Sequence, residues 1–146
     1  VRALLVLLIA GLALGGSGCS EEPDRVVRST TGDEAFALII EAKKGWVRPG
    51  ESLPIQVRVE SLFGPVEEEL MEEIAVVANS GSVAPNRLTV IMAGPDSLGQ
   101  GADRRFVKWI TFTAGSRSDA NAQGEVHALF RDVSATLKIR IVPAAE

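Results

Sequence analysis

The sequence predicts an all-β domain, an antiparallel β-sandwich of about seven strands, within a chain of 146 residues. From residue 33 onward, short runs of Val, Ile, Leu, Phe and Thr are separated by turn residues at fairly regular intervals, which is typical of an all-β fold. Two of the runs, residues 53–60 and 136–142, alternate apolar and polar positions, as strands of a half-buried sheet do. No long helix is predicted, and a parallel sheet needs crossover helices, so we expect antiparallel pairing.

The strand candidates follow one another with clear turn signals between them. Pro49 and Gly50 form an early turn, because proline presets φ and glycine accepts the positive φ that follows. Gly124 is expected at a positive-φ position after a hairpin turn. The seven predicted strands occupy residues 36–41, 53–60, 74–78, 87–92, 105–113, 124–131 and 136–142.

Two segments depart from a simple sandwich. Residues 67–73 are rich in glutamate, and the apolar residues in and around them recur at helical spacing, which predicts one or two amphipathic helical turns capping a sheet edge. Neighbouring glutamates of a helical turn splay apart rather than converge on a cation, so we expect a solvated acidic face there. Residues 94–104 form a glycine-rich loop without the Lys-Ser/Thr of a phosphate-binding loop.

The first eighteen residues have the layout of a signal peptide. Arg2 provides a short positive start, residues 3–14 are all Ala, Leu, Val, Ile or Gly, and small residues occupy positions 15–18. The apolar run is well short of the roughly 20 residues that a permanent membrane-spanning helix needs. We therefore expect residues 1–18 to be removed after export.

The end of this segment resembles the lipobox of bacterial lipoproteins, in which a Leu and two small residues precede a lipidated cysteine. Ser17, Gly18 and Cys19 match that pattern, and Gly16 stands where Leu is usual. The resemblance implies that Cys19 carries a diacylglycerol and holds the protein on a lipid bilayer. Cleavage by an ordinary signal peptidase and a retained helical anchor are the alternatives.

Residues 19–32 are expected to be the lipidated cysteine and a flexible tether, because Ser-Glu-Glu-Pro-Asp after Cys19 suits neither helix nor strand. The lipoprotein resemblance also implies the outer membrane rather than the inner one in a Gram-negative cell, since Ser20 rather than Asp follows the cysteine. The remaining residues, 33–146, are expected to be one folded domain.

Several short motifs of that domain resemble the immunoglobulin-like domains of bacterial invasins, intimins and surface lipoproteins. The resemblance covers most of residues 36–142 and implies an immunoglobulin-like sandwich that acts in adhesion or as a spacer. Two features of antibody domains are absent from the sequence, a cysteine pair and any tyrosine. The matching pieces are residues 47–51, 64–66, 79–83, 118–124, 126–128 and 134–142.

Composition disfavours several functions. The formal net charge is −4, and no Lys/Arg patch is interleaved with aromatic residues, so we do not expect a nucleic-acid partner. His127 is the only histidine and no catalytic triad or histidine metal site can be built around it, so a position on a strand surface is expected. Asp119 and Asn121 lack EF-hand spacing and favour a turn over a calcium site. No catalytic residue, metal site or cofactor is therefore predicted.

Ligand-binding candidates are few. Trp46 and Trp109 are either packing residues or a platform for a ligand. The 94–104 loop could serve in recognition, with Asp96 and Gln100 as its polar candidates, because sandwiches commonly bind through end loops.

The leading hypothesis is a non-enzymatic, lipid-anchored protein of the cell envelope whose domain is an interaction or structural module for another envelope protein or a glycan. The alternative is an accessory lipoprotein that binds a glycan or small ligand, which predicts an exposed Trp46 or Trp109 beside the 94–104 loop. An enzyme with an unrecognised carboxylate site is the third hypothesis, and the sequence nominates no pair of acids for it.

Overall fold

A computed structural model describes residues 25–116 and 122–143, and this part of the chain forms a β-sandwich without helices. The strands are long where apolar and polar residues alternate over many positions, as in β4 and β10. The ten strands are β1 Arg25–Thr30, β2 Phe36–Ala42, β3 Trp46–Val47, β4 Ser52–Ser61, β5 Leu70–Asn79, β6 Gly81–Ala84, β7 Arg87–Met92, β8 Arg105–Ala114, β9 Gln123–Phe130 and β10 Val133–Ile141.

The strands form two sheets of five. Sheet A has the order β1-β2-β4-β8-β6, and sheet B has the order β3-β10-β9-β5-β7. Neighbouring strands pair antiparallel, except that the short β3 runs parallel to β10. The strands β2-β4-β8-β6 and β10-β9-β5 follow the A-B-E-D and G-F-C orders of an immunoglobulin-type sandwich. The predicted fold class is thus confirmed.

All seven predicted strands are present, and three short ones were missed. β3 and β6 contain only two and four residues, too few for a periodic signal. β1 lies inside the predicted tether 19–32 and pairs along its whole length with β2. The tether prediction is therefore wrong for residues 25–30, because Val27 packs against the core while Val26 and Arg28 point outward.

The helical turns predicted for residues 67–73 are also wrong. β5 begins at Leu70, and its residues alternate between half-buried or buried and exposed positions from there to Asn79. Met71, Glu73 and Ala75 lie on the outer face and pair with residues of β7. The spacing that suggested a helix arose because Val66 belongs to the preceding loop, where it is buried separately from the strand.

The core lies between the inner faces of the two sheets and contains Val, Ile, Leu, Met and Phe side chains from eight strands and Val66. Phe112 is completely buried beside two glycines. A Cβ added to Gly81 or to Gly124 would lie 2.8 Å from the Phe112 ring, so both positions must lack a side chain. The positive φ predicted for Gly124 is wrong, since Gly124 is a paired residue of β9 opposite Ile139. Glycine is required there by close packing and not by turn geometry.

The sandwich has two ends that differ in their connections. At the N-terminal end, where the described chain starts at Arg25, the connections include 43–45, 48–51 and Ser80. At the opposite end, which we call the loop end, the connections are 31–35, 62–69, 93–104 and 131–132. The predicted signal peptide, Cys19 and the Asp119–Asn121 turn lie outside the described residues.

Candidate functional site

Two connections at the loop end pack side by side and carry exposed apolar side chains. The backbone N–H of Val66 donates to the carbonyl of Asp103 at 2.9 Å, and the N–H of Ser61 donates to the carbonyl of Arg104 at 2.8 Å. These bonds join the 62–69 segment to the 93–104 loop. Phe63 is 80% exposed on the first connection and Leu98 is 79% exposed on the second. Both side chains are therefore accessible to a partner at the loop end.

A groove of about 450 Å³ opens beside Phe63 at this end. We call it the acidic groove, because three consecutive glutamates line it together with Phe63 and Arg131. Pro65, Val66 and Leu70 supply apolar lining between these groups. The complete lining is Ala35, Phe36, Ser61, Phe63, Pro65, Val66, Glu67, Glu68, Glu69, Leu70 and Arg131.

Arg131, which lines the groove, lies in the two-residue turn between β9 and β10, with a φ of 52°. Its Nε and Nη2 donate to the Glu72 carboxylate at 2.6–3.0 Å, and its guanidinium lies 4.6 Å from the Phe36 ring centroid and 5.5 Å from that of Phe130. The hydrogen bonds to Glu72 raise the pKa of Arg131. Glu72 therefore neutralises the charge of Arg131 within the protein. The net charge of the groove is negative because of the glutamates that line it.

Asp96 and Gln100, the polar candidates of the glycine-rich loop, bond mainly to the loop itself. Oδ1 of Asp96 accepts the backbone N–H groups of Leu98 and Gln100 at 2.8 and 2.9 Å, and the N–H of Asp96 donates to the Gln100 carbonyl at 2.7 Å. These bonds close a turn that presents Leu98. A ligand-binding role for Asp96 and Gln100 stays a prediction.

Trp109 lies on the outer face of sheet A and is 53% exposed. It is opposite Gln56 of β4, and β6 ends at Ala84, opposite Thr111, so no strand residue flanks Trp109 on its other side. It lies four residues into β8, not beside the 94–104 loop as the ligand-binding hypothesis required. The indole is nevertheless available to a ligand.

A fixed polar network adjoins Trp109 on the same face. Nη1 of Arg58 donates to Gln56 and to Glu41, both at 2.7 Å, and Glu41 pairs with Gln56 across β2 and β4. The Nε of Arg58 is buried without a hydrogen-bond partner and lies 3.8 Å from Glu60. Side chains held this way form a pre-organised polar border around an aromatic surface.

Trp46 is in a different environment. It lies half-buried on β3 at the N-terminal end, and the Lys44 ammonium sits 4.3 Å from its ring centroid. One face of the indole is thus covered by a cation–π contact. Trp46 and Trp109 are on different sheets and do not form one platform.

His127 occupies the strand surface that the sequence predicted. Its Nε2 lies 3.0 Å from Oε2 of Glu125, and its Nδ1 shares a hydrogen bond with Oγ1 of Thr136 at 2.9 Å. Both ring nitrogens therefore have partners on neighbouring positions of β9 and β10.

Sequence reasoning missed Phe63 and Arg131. Phe63 precedes Gly64 and Pro65 in a turn, and an aromatic residue in such a turn has little chance of burial. Arg131 could have been noticed as the first residue of the two-residue connection 131–132 that follows Phe130 directly. Its other partners, Glu72 and Phe36, come from two distant parts of the chain. A larger cavity of about 600 Å³ lies at the N-terminal end and is lined by residues adjoining segments outside the described part.

Within residues 25–116 and 122–143, no group of three or more His, Cys, Asp or Glu side chains is arranged to hold a metal ion. In the same ranges, no helix is long and apolar enough to cross a membrane. No protein-family model matches the sequence, and no significant match to a curated protein was found.

Proposed function

We propose that this protein is a lipid-anchored lipoprotein of the cell envelope, held in the outer membrane if the cell is Gram-negative, whose sandwich is a non-enzymatic interaction or structural module. The leader and the lipobox-like residues ending at Cys19 support the anchor. The observation that carries the interaction role is the separation of the two ends. The described chain enters at Arg25, whereas Phe63, Leu98 and the acidic groove lie at the opposite end.

This arrangement suits recognition of another envelope component. The ten-residue strand β4 runs between the ends and corresponds to about 33 Å at the usual rise per residue. The six residues from Cys19 to Asp24 can extend for at most about 20 Å. A protein anchored at Cys19 would thus hold its loop end within tens of ångströms of the bilayer, which favours a partner in the same envelope. The invasin-type resemblance of the sequence is consistent with such a role.

Metabolic labelling with an alkyne analogue of palmitate tests the anchor. The native protein is expected to incorporate the label and to sediment with membranes, and Ser20→Ala, which keeps the cysteine, should do the same. Cys19→Ser is expected to lose the label and to leave the membrane fraction. A Cys19→Ser protein that still sediments with membranes would show that another feature holds it there.

Site-specific photo-crosslinking in intact cells tests the interaction role. A benzophenone amino acid at position 63 is expected to give a discrete adduct with one envelope component. The same probe at position 46 at the N-terminal end is the control. The role is contradicted if position 63 gives no adduct beyond those seen at position 46.

Glycan binding is the second candidate function, and the exposed Trp109 favours it. The C–H face of a sugar ring stacks on an indole while hydroxyls bond to polar groups beside it, and Gln56, Glu41 and Arg58 lie on the same sheet face as Trp109. Titration with chitotetraose and with maltotetraose should shift the tryptophan emission of the native protein and of Trp46→Phe, but not that of Trp109→Phe. If neither sugar alters the emission, or if Trp109→Phe responds equally, the glycan hypothesis loses its site.

A further inference from the structure

We infer that the acidic groove at the loop end binds a basic segment of a partner protein, one that carries lysine or arginine beside apolar residues. The inference rests on the proposed interaction role and adds the chemical class of the partner. Its basis is the combination of a groove, an exposed aromatic side chain at its edge, and a net negative lining.

The groove is large enough for side chains of an extended peptide. Its volume of about 450 Å³ falls within the range of sites that take several side chains or a small ligand. Phe63 forms one edge and is 80% exposed, so burying its ring beneath a partner would remove a large apolar area from water. Buried aromatic side chains of this kind commonly dominate the energy of an interface.

The charges of the lining select the partner. Glu67, Glu68 and Glu69 are all exposed and all line the groove, and no ion pair to these three carboxylates occurs among the described residues. Arg131 is the one cation of the lining, and Glu72 and Asp33 already face it at 2.6 and 3.9 Å. A basic segment would supply the missing counter-charges, whereas an acidic one would be repelled.

Two cations near the loop end, Arg104 and Arg105, do not line the acidic groove. Arg104 and Arg105 line a separate cavity of about 180 Å³ together with Glu60 and Ser61. That cavity lies toward the outer face of sheet A, where Arg105 pairs with Glu60. Nη2 of Arg104 also lies close to Gly64, 3.7 Å from where a Cβ on that residue would stand. One nearby cation faces three exposed carboxylates, so the acidic groove keeps a net negative charge.

The loop end contains its own control residue. Leu98 is as exposed as Phe63, at 79% against 80%, but it does not line the groove. Non-specific hydrophobic binding at the loop end would involve both side chains equally. Recognition by the groove would involve Phe63 and the three glutamates, and would be indifferent to Leu98.

Selection from a random dodecapeptide display library tests the inference. The full chain is immobilised in detergent micelles, and peptides enriched in Lys or Arg next to apolar residues are expected. Binding of the selected peptides, followed by fluorescence anisotropy, should weaken about tenfold or more in the Glu67→Gln/Glu68→Gln/Glu69→Gln variant and in Phe63→Ser. Leu98→Ser should bind as the native chain does, and raising the salt concentration should weaken binding.

Each outcome separates the two proposals. Peptides that lack basic residues but depend on Phe63 would overturn the inferred partner class and leave the interaction role standing. An absence of enriched peptides, or enriched peptides that bind the triple glutamine variant as well as the native chain, would also overturn the inference. All the substituted side chains are exposed, and an unchanged unfolding midpoint of each variant would show that the fold is intact.

Discussion

The two ends of the sandwich close the same core by opposite means. At the N-terminal end, the fully buried Phe112 ring packs against Gly81 and Gly124, which leave no room for a side chain. At the loop end, the Arg131 guanidinium lies over Phe36 and Phe130 and is held by Glu72. Close packing around Phe112 covers the core at the N-terminal end, and the charged side chain of Arg131 covers it at the loop end. Arg131 covers the core at the end where the proposed binding groove opens. A charged side chain in this position can face either water or a partner, whereas an apolar side chain would have to be covered.

Removal of the Phe112 ring should have the largest effect on stability. Phe112 is fully buried, so Phe112→Ala leaves a cavity between two glycines that cannot fill it, and we expect a loss of about 3–5 kcal/mol in the free energy of unfolding. Urea denaturation measures this. Phe63→Ala is the matched control at the other end, where an 80% exposed ring should change stability by less than about 0.5 kcal/mol. Similar losses for both would contradict the contrast between the two ends.

Filling the space beside Phe112 should cost less. The Cβ introduced by Gly124→Ala would lie 2.8 Å from the ring, and the strand must shift to accept it, for which we expect about 1–3 kcal/mol. A smaller side chain at position 112 should relieve this clash. The cost of Gly124→Ala should therefore be smaller in a Phe112→Leu background, as a double-mutant cycle would measure. An identical cost in both backgrounds would mean that the ring is not what excludes a side chain at position 124.

Disruption of the charged closure should have a moderate effect. Arg131→Ala removes a two-pronged hydrogen bond to Glu72 and the contact with two aromatic rings, and we expect a loss of about 1–2 kcal/mol. Arg131→Lys should recover only part of this, since an ammonium cannot reproduce the planar fork.

The pair formed by Arg87 and Glu73 is the control for Arg131. Its atoms are 3.9 Å apart and its side chains are 75% and 66% exposed, so Arg87→Ala should cost about 0.5 kcal/mol or less. Thermal unfolding of the four proteins compares them directly. If Arg131→Ala is as mild as Arg87→Ala, the loop end is not closed by charge.

The strands were predictable where a long alternating pattern existed, and less so elsewhere. β4 and β10 are predicted from period two alone. The tether prediction instead extends the polar character of residues 20–24 over β1, whose two adjacent valines give no alternating pattern. In β8, alternation puts Val107 and Trp109 on one face and Lys108 and Ile110 on the other. The sequence does not tell which of these faces is buried. β6 pairs only with residues 111–114 of β8, and both Lys108 and Trp109 are exposed.

The site was harder to predict than the fold for a physical reason. The acidic groove combines residues from the 35–36, 61–70 and 131 segments, and their meeting depends on sheet order and not on local sequence. The glutamates at positions 67–69 are solvated, as predicted. Their backbone is a non-helical connection that leads into β5, and not the helical turn predicted for residues 67–73. Phe63 and Arg131 acquire significance only once the loop end is assembled.

The mildest test concerns Asp33, a carboxylate of the loop end. Its Oδ1 accepts a hydrogen bond from Oγ1 of Thr31 at 2.6 Å and from the N–H of Ala35 at 3.0 Å. These bonds, with that of Thr31 first, lower the pKa of Asp33 below its usual 3.8. Titration of the Asp33 carboxyl by carbon NMR should show this, and Thr31→Val should move the pKa of Asp33 back toward 3.8. The exposed Thr30→Val is the control and should not move it.

The sign of this effect determines how acid should distinguish the two ends. Because the pKa of Asp33 is lower in the folded protein, its contribution to stability is present above the ordinary pKa of 3.8 and is lost as pH falls through the lower pKa of the folded state. The 31–35 turn should therefore lose amide protection against hydrogen exchange in that acidic range, before the amides of β8 around Phe112, whose packing involves no titrating group. Simultaneous loss of protection in the turn and around Phe112 would indicate that both ends open in one global step. Protonation of Asp33 would then not be the reason why the turn opens in acid.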